Sequence, residues 1–129
     1  MRPGFTKYHS RKITRDGLTF DSAKEYRRYK ELQALASAGV ITDLQRQVKY
    51  VLIPAQREAS TETFTRGPRK GQPKPGRLLE KECAYIADFS YKTRNGAEVV
   101  EDTKGMRTKD YVIKRKLMLY LRGIRIMEV

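Results

Sequence analysis

The sequence predicts a single α/β (α+β) domain in which a central mixed β-sheet is flanked by helices. Three observations carry that expectation. The chain has 129 residues, enough for one hydrophobic core and too few for two. Two segments show helical character with start and stop signals. Four β-rich stretches accompany them, in the order helix, strand, strand, strand, helix, strand.

Residues 1–20 read as a basic N-terminal arm, with Arg2, Lys7, Arg11, Lys12 and Arg15 around Tyr8 and His9 and a turn at Asp16-Gly17. The domain proper is 21–129. Its first helix covers 21–38: Asp21 or Ser22 caps it, Gly39 stops it, and Tyr29, Leu32, Leu35 and Ala36 form its apolar stripe. A β-rich strand at 47–53 ends at Pro54. Residues 55–80 lose all periodicity and hold the Pro/Gly-rich run Arg66–Arg77, so they read as a mobile basic loop. Strands over 82–92 and 97–104 flank Arg94-Asn95-Gly96. A second helix covers 108–122 and is stopped by Gly123, and Ile124–Val129 alternates as a closing strand.

Charge narrows the function. Lys and Arg total 28 against 15 Asp and Glu, a net +13. Such an excess repels itself unless a polyanion is near, so nucleic acid is the expected partner. One cysteine, Cys83, and one histidine, His9, exclude a disulfide scaffold and a structural zinc site. No apolar run approaches the roughly 20 residues of a membrane span, and no membrane partner is expected. The N-terminus lacks the apolar stretch of a secretory signal, so a cytoplasmic location is expected.

The hairpin around Asn95-Gly96 carries the chemistry. Alternation along the second strand puts Asp102 and Lys104 on one face and Glu101 on the other. Asp88 joins that face only in one register. With a two-residue turn, paired residue numbers sum to 191 and Asp88 opposes Thr103. With the three-residue loop Arg94-Asn95-Gly96 the sum is 190, and Asp88 opposes Asp102. The second register is the expected one, because that loop wants glycine at its left-handed last position. Like charges facing each other weaken a sheet, and a divalent cation between them removes the penalty. Oxygen ligands suit Mg²⁺, with Mn²⁺ as substitute. Lys104 then supplies a positive point charge. A lone Asp-x-Lys is a common solvated triplet, but apolar Ile86, Ala87, Phe89, Val99 and Val100 imply buried strands, where acids need a partner or an ion. Glu25 is a third acid, on the stripe of the first helix. Ser22-x-x-Glu25 is also a capping box, which leaves both roles open.

This set, an acid on the first helix, Asp88 on a strand and Asp102-Thr-Lys104 on the next, resembles the PD-(D/E)XK nuclease superfamily. A closer resemblance is to a small phage-encoded family catalogued as a domain of unknown function. Its motifs are Phe20-Asp-Ser-x-x-Glu25, Leu32…Leu35…Gly39-x-Ile41…Leu44…Gln47, Ala87-Asp88-Phe89, Val100-Glu-Asp102-x-Lys104-Gly105 and Tyr111…Lys114-Arg-Lys116. The likeness covers roughly residues 18–122, and its N-terminal half also resembles the transposon-end-cleaving and Holliday-junction-resolving endonucleases of the superfamily. Ala87 stands where the superfamily motif has proline.

The resemblance implies a restriction-endonuclease-like core and a Mg²⁺-dependent endodeoxyribonuclease. Asp88, Asp102 and Glu25 would be its metal ligands, Lys104 its catalytic lysine, and Gln47 a further site residue. It also implies duplex or branched DNA as substrate, in phage recombination or packaging within the bacterial cytoplasm. A homodimer follows where the substrate is a four-way junction, since two symmetric strands need two cuts. The expected DNA contacts are Arg66, Arg69, Lys70, Lys74 and Arg77 in the loop and Arg107, Lys109 and Lys114 after the catalytic strand. The competing reading is a non-catalytic basic nucleic-acid-binding protein whose acids are structural.

Overall fold

The computed structural model describes residues 11–129; the expected arm residues Arg2, Lys7, Tyr8 and His9 lie outside it. The protein is a mixed α+β structure with two helices and a mixed four-stranded sheet. The chain groups into two compact units. One comprises the described residues up to Tyr50 together with Ile86–Val129, and the other is Val51–Tyr85.

The first unit opens with a hairpin, β1 (Ile13–Arg15) and β2 (Leu18–Phe20). This corrects the irregular arm expected there. Asp16 and Gly17 both take left-handed φ values, 55° and 77°, as a two-residue hairpin turn requires. Helix α1 (Ala23–Ser37) follows, N-capped by Ser22. It closes in a Schellman arrangement. Val40 N–H donates to Leu35 at 2.9 Å and Gly39 N–H to Ala36 at 3.1 Å, with Gly39 at φ 77°.

Strand β3 (Ile41–Ile53) starts six residues earlier than expected. Its polar opening hid it, and left-handed Asp43 and Gln47 interrupt its regular geometry. Strand β6 (Cys83–Thr93) lies beside β3 in the sheet. It pairs antiparallel with β7 (Glu98–Asp102), as Phe89–Glu101, Ser90–Val100, Tyr91–Val99 and Lys92–Glu98. Every pair sums to 190, the register of the three-residue loop. Gly96 sits at φ 85°, and Thr93 N–H donates to Ala97 O at 2.9 Å.

Strand β7 stops at Asp102, two residues short of expectation. The next backbone donor, Thr103 N–H, turns to the Asp88 carboxylate at 2.8 Å instead of the ladder. Helix α2 (Lys109–Arg122) runs from its Thr108 N-cap to left-handed Gly123. The parallel edge strand β8 (Met127–Glu128) follows and is shorter than the alternating stretch suggested.

Leu32 of α1 packs with Ile41, Phe89 and Tyr91, ringed by Tyr29, Ala36, Leu44 and Val99. Leu35, expected on the stripe, is exposed. Burial of a side chain such as Phe89 contributes about 1.5–3 kcal/mol. This core fixes α1 against β3, β6 and β7, the elements that carry the candidate site.

In the second unit the expected loop has structure of its own. Strands β4 (Gln56–Arg57) and β5 (Leu78–Glu80) form a small antiparallel sheet, and Thr63 bridges Pro73 beyond it. Gly76 lies so close to the Glu58 carbonyl that a Cβ would meet its oxygen at 1.8 Å. A backbone approach of this kind demands glycine.

Candidate functional site

Glu25 sits in the first turn of α1 and is 1% exposed. Its N–H donates to Ser22 Oγ at 3.1 Å, while its Oε1 accepts the Asp21 N–H at 3.0 Å. This is a capping box with the returning bond shifted one residue outward. The other oxygen, Oε2, accepts Gln47 Nε2–H at 3.0 Å and lies 4.0 Å from Arg46 Nη2. Capping therefore occupies one oxygen and leaves the second facing the sheet residues. Burial raises the Glu25 pKa, and the negative charge of Asp88 adds to the rise. The Asp21 N–H and Arg46 oppose it only in part.

Gln47 reaches this site from β3 by an unusual backbone. Its φ of 52° is left-handed, a conformation that costs a non-glycine residue on the order of 1–2 kcal/mol. The twist lets the amide point at Glu25. Arg46 anchors beside it, its guanidinium 4.2 Å above the Phe20 ring and its Nη2 donating to Thr19 O at 2.8 Å.

Asp88 lies on β6, partly exposed. Its Oδ2 accepts both the Thr103 N–H at 2.8 Å and the Thr103 hydroxyl at 2.7 Å. Among the described residues, Asp21, Glu25 and Asp88 bring one carboxylate oxygen each within 4.8 Å of one another. Asp21 was expected only as a possible cap. The structure makes Ser22 the cap, and Asp21, whose N–H already bonds Glu25, becomes the third acid. Its position directly before the cap, four residues before Glu25, was the available signal. Lys12 Nζ holds its Oδ1 at 2.7 Å.

Asp102, the ligand expected with Glu25 and Asp88, is not in that group. It is buried, 2% exposed, and its Oδ1 lies 3.3 Å from Lys104 Nζ. Lys104 stands beyond the strand and places its ammonium 4.5 Å from the centre of the Tyr111 ring. Asp102 and Lys104 thus meet, although strand alternation does not set the pair, because β7 ends at Asp102. Three clustered carboxylates are a donor set that fits a hard divalent cation. The like-charge strain at Glu25 is what such a cation relieves.

The expected nucleic-acid contacts divide between the units. In the second unit, Arg69 stacks on Phe64 at 4.4 Å, Lys74 lies 5.9 Å from the same ring, and Arg77 pairs with Glu58 at 2.7 Å. Arg66 and Lys70 are exposed there. In the first unit Arg107 is bound to Glu128 at 2.5 Å, Lys109 is exposed at the start of α2, and Lys114 is half-buried. Arg115 and Tyr111 also bond Glu128, at 3.0 and 2.7 Å.

A family model described as "Protein of unknown function (DUF1064)" matches residues 5–127, and the chain belongs to that family. No curated protein and no solved structure matches the chain. No described helix is long and apolar enough to cross a membrane.

Proposed function

We propose that this protein is a Mg²⁺-dependent DNA endonuclease of the PD-(D/E)XK type that hydrolyses phosphodiester bonds. The observation that carries the reading is the cluster of Asp21, Glu25 and Asp88 within 4.8 Å, in a chain of net charge +13. A protein that only bound a polyanion would gain nothing by facing phosphate with carboxylates. The motif order adds support: an acid on α1, an acid on β6, and Asp102-Thr-Lys104 at the end of β7.

Asp21, Glu25 and Asp88 would hold the cation, which when bound supplies the positive charge that a scissile phosphate needs. Gln47 orients Glu25 through its Oε2. Asp102 holds the Lys104 ammonium in place at 3.3 Å, ready to stabilise charge developing on the phosphate. Mn²⁺ fits the same oxygens. Branched phage DNA, including Holliday junctions, is the proposed substrate, and on a four-way junction two copies of the chain would make the paired cuts.

The second reading is a non-catalytic nucleic-acid-binding protein. It is favoured by the protein partners that Glu25, Asp88 and Asp102 already possess. The separating experiment measures DNA binding and cutting with Mg²⁺, Mn²⁺ or EDTA on duplex, single-stranded and four-way-junction DNA, with Asp102→Ala alongside. The nuclease reading predicts metal-dependent cutting, lost in the variant while binding survives. Binding that is indifferent to metal, with no cutting, supports the second reading.

A further inference from the structure

The carboxylate of Glu101 plays no part in the chemistry above, although it stands beside Asp102. Strand alternation turns it to the opposite face, where it is 0% exposed. Arg28 of α1 holds it as a fork: Nε donates to Oε1 at 2.8 Å and Nη2 to Oε2 at 2.7 Å. The Tyr91 hydroxyl donates a short hydrogen bond to the same Oε2. Burial, reinforced by Glu101, pushes the Tyr91 phenol up to about 12, so it keeps its proton.

Each member neighbours one acid of the site. Arg28 follows Glu25 by three residues, on the next turn of α1. Tyr91 follows Asp88 by three on β6, and Glu101 directly precedes Asp102 on β7. Stability alone does not account for the knot, because apolar residues of similar volume commonly replace a buried ion pair at no loss. Direction is what they cannot replace. The surrounding contacts of Leu32 and Phe89 are non-directional, whereas a guanidinium fork fixes both distance and angle.

We infer that Arg28, Glu101 and Tyr91 are positioning residues that fix the mutual placement of α1, β6 and β7, and so of Glu25 and Asp88, which would hold a divalent cation, and of Asp102, which holds Lys104. The catalytic consequence rests on the nuclease reading; the geometric one does not.

The test compares wild type, Arg28→Met paired with Glu101→Leu, and Arg28→Lys. The paired variant orphans neither charge, and Arg28→Lys keeps the charge while losing the fork. The readouts are melting temperature, the amide NMR signals of residues 25, 88 and 102 without metal, Mn²⁺ titration followed by EPR, and kcat and KM for DNA cutting. Both variants should stay folded and shift those three amide signals. Mn²⁺ affinity should fall about 10–100-fold in the paired variant and about 10-fold in Arg28→Lys. In the paired variant kcat should fall about 100-fold with KM little changed. If the paired variant unfolds, Arg28→Lys decides by the same readouts. Unmoved amide signals together with wild-type Mn²⁺ affinity overturn the inference, whether or not the protein cuts DNA. A wild type that neither binds Mn²⁺ nor cuts overturns the nuclease reading, and the amide signals still decide the knot.

Discussion

Glu25 meets conflicting demands. As a cap it belongs at the helix start, yet its burial beside Asp88 raises its pKa above the ordinary 4.5. A raised acid costs no stability below its unfolded pKa and becomes destabilising as pH rises through the folded one. Metal-free Glu25→Gln should therefore melt above wild type at pH 7.5 and with it near pH 4. Thermal unfolding at the two pH values checks this, and an equal gap at both would refute it. Gln47 makes a related trade. Gln47→Gly removes a left-handed side-chain penalty of about 1 kcal/mol and also removes the donor to Glu25. Urea unfolding should show a gain or no loss of stability, while the cutting rate falls, a separation expected where strain serves function.

At the scale of elements, the sequence was legible wherever one local signal decided the outcome. Gly39 and Gly123 ended their helices, and Gly96 chose the hairpin register that joins Phe89 to Glu101. It was illegible where a long-range partner decided. The Asp88 side chain ends β7 by taking the Thr103 N–H, and no spacing rule announces that bond. Asp21 carried a spacing signal, four residues before Glu25, but it joins the acid cluster only because the fold brings Asp88 beside it. The junction of α2 and β8 depends on Glu128, whose carboxyl Arg107, then Tyr111, and Arg115 hold down at about 2. A depressed carboxyl contributes stability above its unfolded pKa of 4.5 and loses it as pH falls toward 2. Glu128→Gln should lower the melting temperature at pH 7 by a few degrees, on the order expected for one such cluster. Denaturation at pH 5, 3.5 and 2.5 should show the gap closing. A constant gap would mean that the three partners do not act through the charge.

At the scale of the molecule, the net charge of +13 is unevenly engaged. Arg77 and Arg107 are tied to acids, and Arg69 lies on an aromatic ring, whereas Arg66 and Lys70 are exposed in the second unit. Neutralising Arg66 and Lys70 together should weaken DNA binding alike across sequences. It should also flatten the slope of log affinity against log salt by about 2, close to one for each phosphate no longer neutralised. An unchanged slope would remove this segment from the DNA interface. The composition predicted a polyanion partner without indicating which cations face it, because pairing is a property of the folded chain.

The nuclease reading turns on whether the acid cluster of the first unit runs a metal-dependent reaction. The most direct measurement is cutting of a four-way-junction DNA by wild type and by Asp88→Asn, both verified as folded, in Mg²⁺ and in EDTA. Cutting by wild type in Mg²⁺ alone, and none by Asp88→Asn, is the predicted result. Equal cutting by the two proteins, or none by a wild type that binds the same DNA, would contradict it.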